Sequence, residues 1–214
     1  MPVETRPRGH ARSTSGNGST RSAKTMTISP ELRPAKLGVE VQRFDTLREL
    51  PIGLSEDVRR ESCEALNRIL ADSTILYHLY KKEHWLVAGP TFYQLHLLFD
   101  KHAGEQLEII DLIAERVQSL GGIAVGDPRH GAELATIERP PDGAEDTAAM
   151  ITRLLRAHET IIGEVREAIE QTEQSKDWGT NDMLMSDVLR RNELQVWFIG
   201  EHIVEIPLIE QKER

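Results

Sequence analysis

The chain has 214 residues and a formal net charge of −9, with 29% charged and only 5% aromatic residues. That length holds one domain of ordinary size and an appendage, and a composition rich in Leu, Ile, Ala and Glu suits packed helices better than sheets. No apolar run approaches the ~20 residues of a bilayer span, the single Cys63 excludes an intrachain disulfide, and the opening MPVETRPRGHARSTSG has no apolar core of a secretory leader, so a soluble cytoplasmic protein is expected.

Residues 1–45 are rich in Gly, Ser, Thr, Pro and Arg without apolar periodicity, which predicts a flexible, mostly disordered tail. Met26 within it is an alternative start. Over residues 1–36, seven basic side chains (Arg6, Arg8, Arg12, Arg21, Lys24, Arg33, Lys36) stand against Glu4 and Glu31, a local charge of +5 that leaves −14 for the rest. Residues 46–207 are expected to form the folded body, and 208–214 a short C-terminal tail.

A first helix is predicted from Ser55 to about Val87, capped by Ser55 with Glu56 and Asp57 in its first turn and stopped by Gly89-Pro90. Val58, Leu66, Ile69, Leu70, Leu76 and Leu79 mark its inner side. A second helix follows from Pro90 or Thr91 to Leu120, closed by Gly121-Gly122. Its seam is Phe92, Phe99, Ala103, Ile110, Ile113, Val117 and Leu120, stepped by three, four and seven. Residues 121–144 form a long connection with Pro140-Pro141 and a short helix over 131–137. The third long helix spans about Glu145 to Gln174, with Ile151, Leu154, Leu155, Ile161, Ile162 and Val165 inward. The fourth begins at Thr180-Asn181 and runs through Leu184, Val188, Leu194, Trp197 and Ile203 to Pro207. Two long helices, a crossover and two more helices describe an all-α, ferritin-like four-helix bundle.

Five metal-competent side chains lie within 32 residues: His84, His96, Asp100, Asp111 and Glu115. Four form i,i+4 pairs on the second helix, His96/Asp100 and Asp111/Glu115, within roughly a 100° sector of its surface. Asp100 and Asp111 are nonetheless about 16 Å apart along the axis, at 1.5 Å per residue. Metal–ligand bonds of about 2.0–2.5 Å cannot span that gap. An antiparallel second copy of the helix would bring His96/Asp100 of one subunit beside Asp111/Glu115 of the other, giving two identical sites about a twofold axis. Imidazole with carboxylates suits Fe(II), Mn(II) or Zn(II). No Glu-x-x-His occurs, which argues against the di-iron centre that ferritin-like proteins build inside one bundle.

His84-Trp85, Gly89-Pro90, Phe92, Leu95-His96, Phe99-Asp100, Asp111 and Ala114-Glu115-Arg116-Val117 with Gly121-Gly122 closely resemble the Dps family, the starvation-inducible DNA-binding miniferritins. The resemblance covers roughly residues 45–206. It implies a hollow dodecamer with ferroxidase sites at dimer interfaces, His84, His96 and Asp100 from one subunit and Asp111 and Glu115 from its partner. It also implies oxidation of Fe(II), preferentially by hydrogen peroxide, and storage of ferric mineral inside the shell. Trp85 beside the first histidine is a candidate acceptor of an oxidising equivalent, and Asp182 in GTND matches an acidic pore position at a threefold axis. His78, His102 and His202 are read as satisfied or exposed side chains rather than added ligands; His10, His130 and His158 receive no assignment.

The cationic tail raises a second reading, sequence-independent DNA binding in which Arg6, Arg8, Arg12, Arg21 and Lys24 neutralise phosphates and twelve copies add avidity. The acidic body opposes it at short range. A third is a nucleoid-binding or structural shell whose histidines and carboxylates hold redox-inert zinc.

Overall fold

The structure, a computed structural model, describes residues 38–204, of which those from Glu40 onward belong to one compact unit. The basic residues proposed to contact DNA, the alternative start Met26 and the predicted C-terminal tail lie outside the described residues. The elements are α1 (Glu56–Leu86), α2 (Phe92–Ser119), a short α3 (Pro128–Leu134), α4 (Thr147–Ser175), and a last rod made of α5 (Trp178–Met183), a π-helical turn (Leu184–Leu189) and α6 (Arg190–Gly200). Among the described residues there is no strand.

Local chemistry sets most helix ends. Ser55 accepts from Val58 N, Asp127 from Arg129 N and Asp146 from Ala149 N, each satisfying an amide that the first turn leaves free. α2 ends where Gly121 takes φ +89°, with its N–H on Gln118 O and that of Gly122 on Val117 O. The short helix thus starts three residues before the predicted 131–137, because Asp127-Pro128 supplies both cap and first-turn proline.

The four long rods pack antiparallel to their neighbours. Cys63 meets Val117 at one end of α1/α2 and His84 meets His96 at the other. Ser62 bonds Asp177 just past α4, while Tyr80 bonds His158 near its middle. This arrangement explains the long connection. α2 ends beside the start of α1, whereas α4 must begin beside its end, so the chain climbs all 31 residues of α1, about 45 Å at 1.5 Å per residue. It is tied along the way: Asn67 bonds Ile123 O and Val125 N, Asp72 accepts from Thr136 N, Ile137 N and the Thr136 hydroxyl, and Thr147 reaches Ala88 O.

The core lies between the rods. Leu66, Ile69, Leu70, Leu76, Phe99, Ala103, Ile113, Val117, Ile151, Leu154, Ile161, Leu184 and Val188 are buried, as their periodicity predicts. Three expectations need correction. Phe92 is exposed and packs on the His96 ring, 5.1 Å away, and Ile109 rather than Ile110 is fully buried. The last helix begins at Trp178, because Asp177 and not Thr180 is its cap. Beyond the π turn, Leu194, Trp197 and Ile203 are exposed, while Asn192, Gln195 and Ile199 are buried. Counted at about 100° per residue from Val188, Asn192, Gln195 and Ile199 fall within about 40° of its face and Leu194 and Trp197 about 120–180° away, so helical period rather than apolar character marks the inner side.

Candidate metal centre

α1 and α2 form a hairpin through the link at Gly89, whose φ is +99°, and this brings His84 and His96 together. Their rings stack with centroids 3.8 Å apart and planes 20° apart. Each ring bonds the other's backbone: His84 Nδ1 lies 2.7 Å from His96 O, and His96 Nδ1 lies 2.9 Å from His84 O. A carbonyl only accepts, so both Nδ1 atoms carry the proton. Both Nε2 lone pairs are left for a ligand, the fixed tautomer that metal-binding histidines require.

Asp100, one turn beyond His96, places Oδ1 4.0 Å from His84 Nε2. The same oxygen accepts from Lys81 Nζ at 2.6 Å, and this bond holds the Asp100 carboxyl below the usual carboxylate range. The histidines are partly buried and Asp100 is exposed. Trp85 is 70% exposed, with Lys81 Nζ 5.9 Å over its ring. The sequence reading missed Lys81; its i,i+4 step to Trp85 and i,i+3 step to His84 was the available signal.

The other half is elsewhere. Asp111 and Glu115 lie on the exposed side of α2, with no hydrogen bond or ion pair among the described residues. Within one chain, and among the described residues, no three His, Cys, Asp or Glu side chains are grouped closely enough to hold an ion. The two halves are related by numbering. His96 and Glu115, and likewise Asp100 and Asp111, are equidistant from the peptide joining Glu105 to Gln106. A twofold axis through that point would set residue 96 opposite 115 and residue 100 opposite 111. The surface beside the point suits close approach of a second helix: a Cβ on Gly104 would meet nothing within 4 Å, and Tyr93, Leu97 and Leu107 are 68, 50 and 53% exposed.

Other candidates fall apart from this cluster. Asp182 is exposed near the start of the last rod, where Ser186 Oγ donates to it over 3.3 Å. His78 and His202 are exposed. His102 and His158 are fully buried instead, and burial lowers them to about 4 and about 3, so both are neutral. They belong to a polar network inside the bundle with Tyr80, Gln106, Asn192 and Gln195. For His158 the signal was its position, four residues after Leu154 and seven before Val165, on an apolar stripe.

The chain matches the ferritin-like domain of the ferritin family over residues 63–209. It is similar to DpsC from Streptomyces coelicolor, whose structure shares 58% identity and a TM-score of 0.78 over 79% of this chain and 98% of that one. A DNA protection during starvation protein from Halobacterium salinarum is 32% identical over 150 residues, 70% of this chain and 80% of that protein. The Dps structure from Vibrio cholerae O1, described as a member of a broad superfamily of ferritin-like diiron-carboxylate proteins, is 26% identical with a TM-score of 0.68, covering 72% of this chain and 96% of that one.

Proposed function

This chain belongs to the Dps family of ferritin-like proteins, and we propose that it is a ferroxidase that takes up Fe(II) at sites shared by two subunits, oxidises it with hydrogen peroxide or oxygen, and stores the ferric product inside a dodecameric shell. The observation that carries this is the pairing of His96 with Glu115 and Asp100 with Asp111 about one point of α2, with His84 and His96 already locked as Nε2 donors. His84, His96 and Asp100 bind from one subunit, and Asp111 and Glu115 from its partner. Two carboxylates one turn apart repel unless a cation neutralises them, and an anionic ligand set favours Fe(III) over Fe(II), which drives the oxidation. Asp182, exposed and acidic, concentrates Fe(II) at a pore. Trp85, beside His84, stands where an oxidising equivalent would leave the site. No described helix is long and apolar enough to cross a membrane, which agrees with a cytoplasmic protein that protects DNA by removing iron and peroxide together.

The test is anaerobic Fe(II) titration followed by peroxide. A rapid ferric burst, stoichiometric with the shared sites, supports the reading; a site that keeps zinc and oxidises no iron overturns it in favour of a structural shell. Direct DNA binding is a second reading, favoured by the +5 charge of residues 1–36 on an acidic body. Gel shifts of full-length and tail-deleted protein across a salt series test it: binding should need the tail and weaken steeply with salt.

A further inference from the structure

Inside the bundle, and apart from the shared site, one phenol is wired on both sides. Tyr80 is fully buried, and its hydroxyl lies 2.6 Å from His158 Nε2 and 3.2 Å from His102 Nδ1. The direction of each bond follows from its neighbours. Asn192 Nδ2 donates to Val188 O over 2.8 Å, so Asn192 Oδ1 faces His158 Nδ1, 2.9 Å away, and that nitrogen carries the proton. His158 Nε2 therefore holds a lone pair, and the Tyr80 O–H donates to it. The phenol oxygen in turn accepts from His102 Nδ1–H. Asn192, four residues after buried Val188, faces the core beside the π-helical turn of Leu184–Leu189. Tyr80 is one helical turn before His84, about 6 Å along the axis, and its ring centroid is 6.1 Å from that of Phe99, the residue before Asp100.

We propose that Tyr80 is a redox-active residue of the iron–peroxide reaction, giving one electron to peroxide when its site holds one Fe(II) and passing its phenolic proton to His158 Nε2. This rests on the ferroxidase reading above. One Fe(II) supplies one electron, and cleavage of the O–O bond by one electron alone releases hydroxyl radical. With Tyr80 as second donor the peroxide takes two electrons and two solvent protons and leaves as two waters. Fe(II) becomes Fe(III), the Tyr80 O–H bond breaks, the phenoxyl radical remains and His158 holds the phenol's proton. The next Fe(II) returns the electron, and the proton moves back along the same bond. An acceptor already in contact lets the proton leave with the electron, which spares the buried ring a phenol radical cation. The donated bond from His102 Nδ1 steadies the phenoxyl oxygen. Trp85 lacks these advantages: its oxidation creates a cation beneath the Lys81 ammonium, 5.9 Å from the ring.

Full-length protein loaded anaerobically with one Fe(II) per site is mixed with hydrogen peroxide, freeze-quenched and read by electron paramagnetic resonance. The expected result is a tyrosyl signal whose hyperfine structure collapses when the protein carries ring-deuterated tyrosine. The chain has three tyrosines, so the signal should survive in a Tyr77→Phe, Tyr93→Phe double variant and vanish in Tyr80→Phe. His158→Gln keeps a polar partner but no base, and should lower the radical yield about ten-fold or more. Persistence of the signal in Tyr80→Phe, or its loss in the double variant, overturns the assignment; the double variant decides the matter even if Tyr80→Phe does not fold. Ferric iron without any tyrosyl signal overturns the role of Tyr80 alone, whereas failure to oxidise iron overturns the ferroxidase reading with it.

Discussion

Lys81 Nζ and Asp100 Oδ1 stand 2.6 Å apart, so an ammonium occupies the exposed carboxylate that the proposed site would offer to a metal ion. Lys81→Met keeps the apolar stem and removes this competitor. Because Asp100 is largely solvated, the ion pair is worth about 1 kcal/mol at most, and the variant should bind metal tighter by up to about five-fold. Calorimetric titration with Co(II) or Zn(II) measures it. Weaker binding in the variant would mean that Lys81 supports the site rather than competes for it.

Gly104 adjoins the point about which the two ligand pairs are symmetric, and a Cβ there would meet no atom of its own chain within 4 Å. Gly104→Leu should therefore leave the subunit folded and block approach of the second α2. The expected outcome is unchanged helical content by circular dichroism, with a much smaller particle by light scattering and no ferric burst. An intact shell carrying this substitution would place the subunit contact elsewhere.

Glu164 lies beside Asp72 where the crossover is tied down. Asp72 is fully buried and accepts from Thr136 and Ile137, and burial together with the Asp72 charge raises Glu164 to about 7, against a nearby Arg68 that lowers it. An acid whose folded value lies above its unfolded value of 4.5 binds more protons when folded. Its stabilisation is therefore complete at low pH and is lost as pH rises through about 7. At about 1.4 kcal/mol per pKa unit the shift bounds the loss at about 3.5 kcal/mol per chain, and solvent screening of the half-buried carboxyl brings it below that bound. Melting curves at pH 5.5 and 8 should differ for the native protein, and Glu164→Gln should narrow that difference. An unchanged difference would remove this pair as its source.

Much of this was legible in the sequence where periodicity or capping chemistry is local. Ser55 and the Gly121-Gly122 pair fix helix ends within a turn, and the stepping of Phe99, Ala103, Ile113 and Val117 fixes the inner face of α2. The separation of Asp100 from Asp111 is likewise a matter of rise per residue. The π turn was not legible, because no residue between Leu184 and Leu189 announces it; the inner face beyond it was misjudged because Leu194 and Trp197 are apolar yet lie off the face of Val188 and are exposed, whereas polar Asn192 and Gln195 lie on it and are buried. The interior network was missed for a related reason. A buried polar group is tolerated only with partners, and the partners of His158 are Tyr80, 78 residues earlier, and Asn192, 34 residues later.

If each metal site takes ligands from two subunits, shells assembled from two complementary variants should recover what each variant alone has lost. His96→Ala subunits and Glu115→Ala subunits should each be inactive alone, yet a pair containing one of each has one site with a complete ligand set. Random mixing should thus restore about one quarter of the native ferric burst. Mixed shells of normal size with no recovered burst would contradict a shared site.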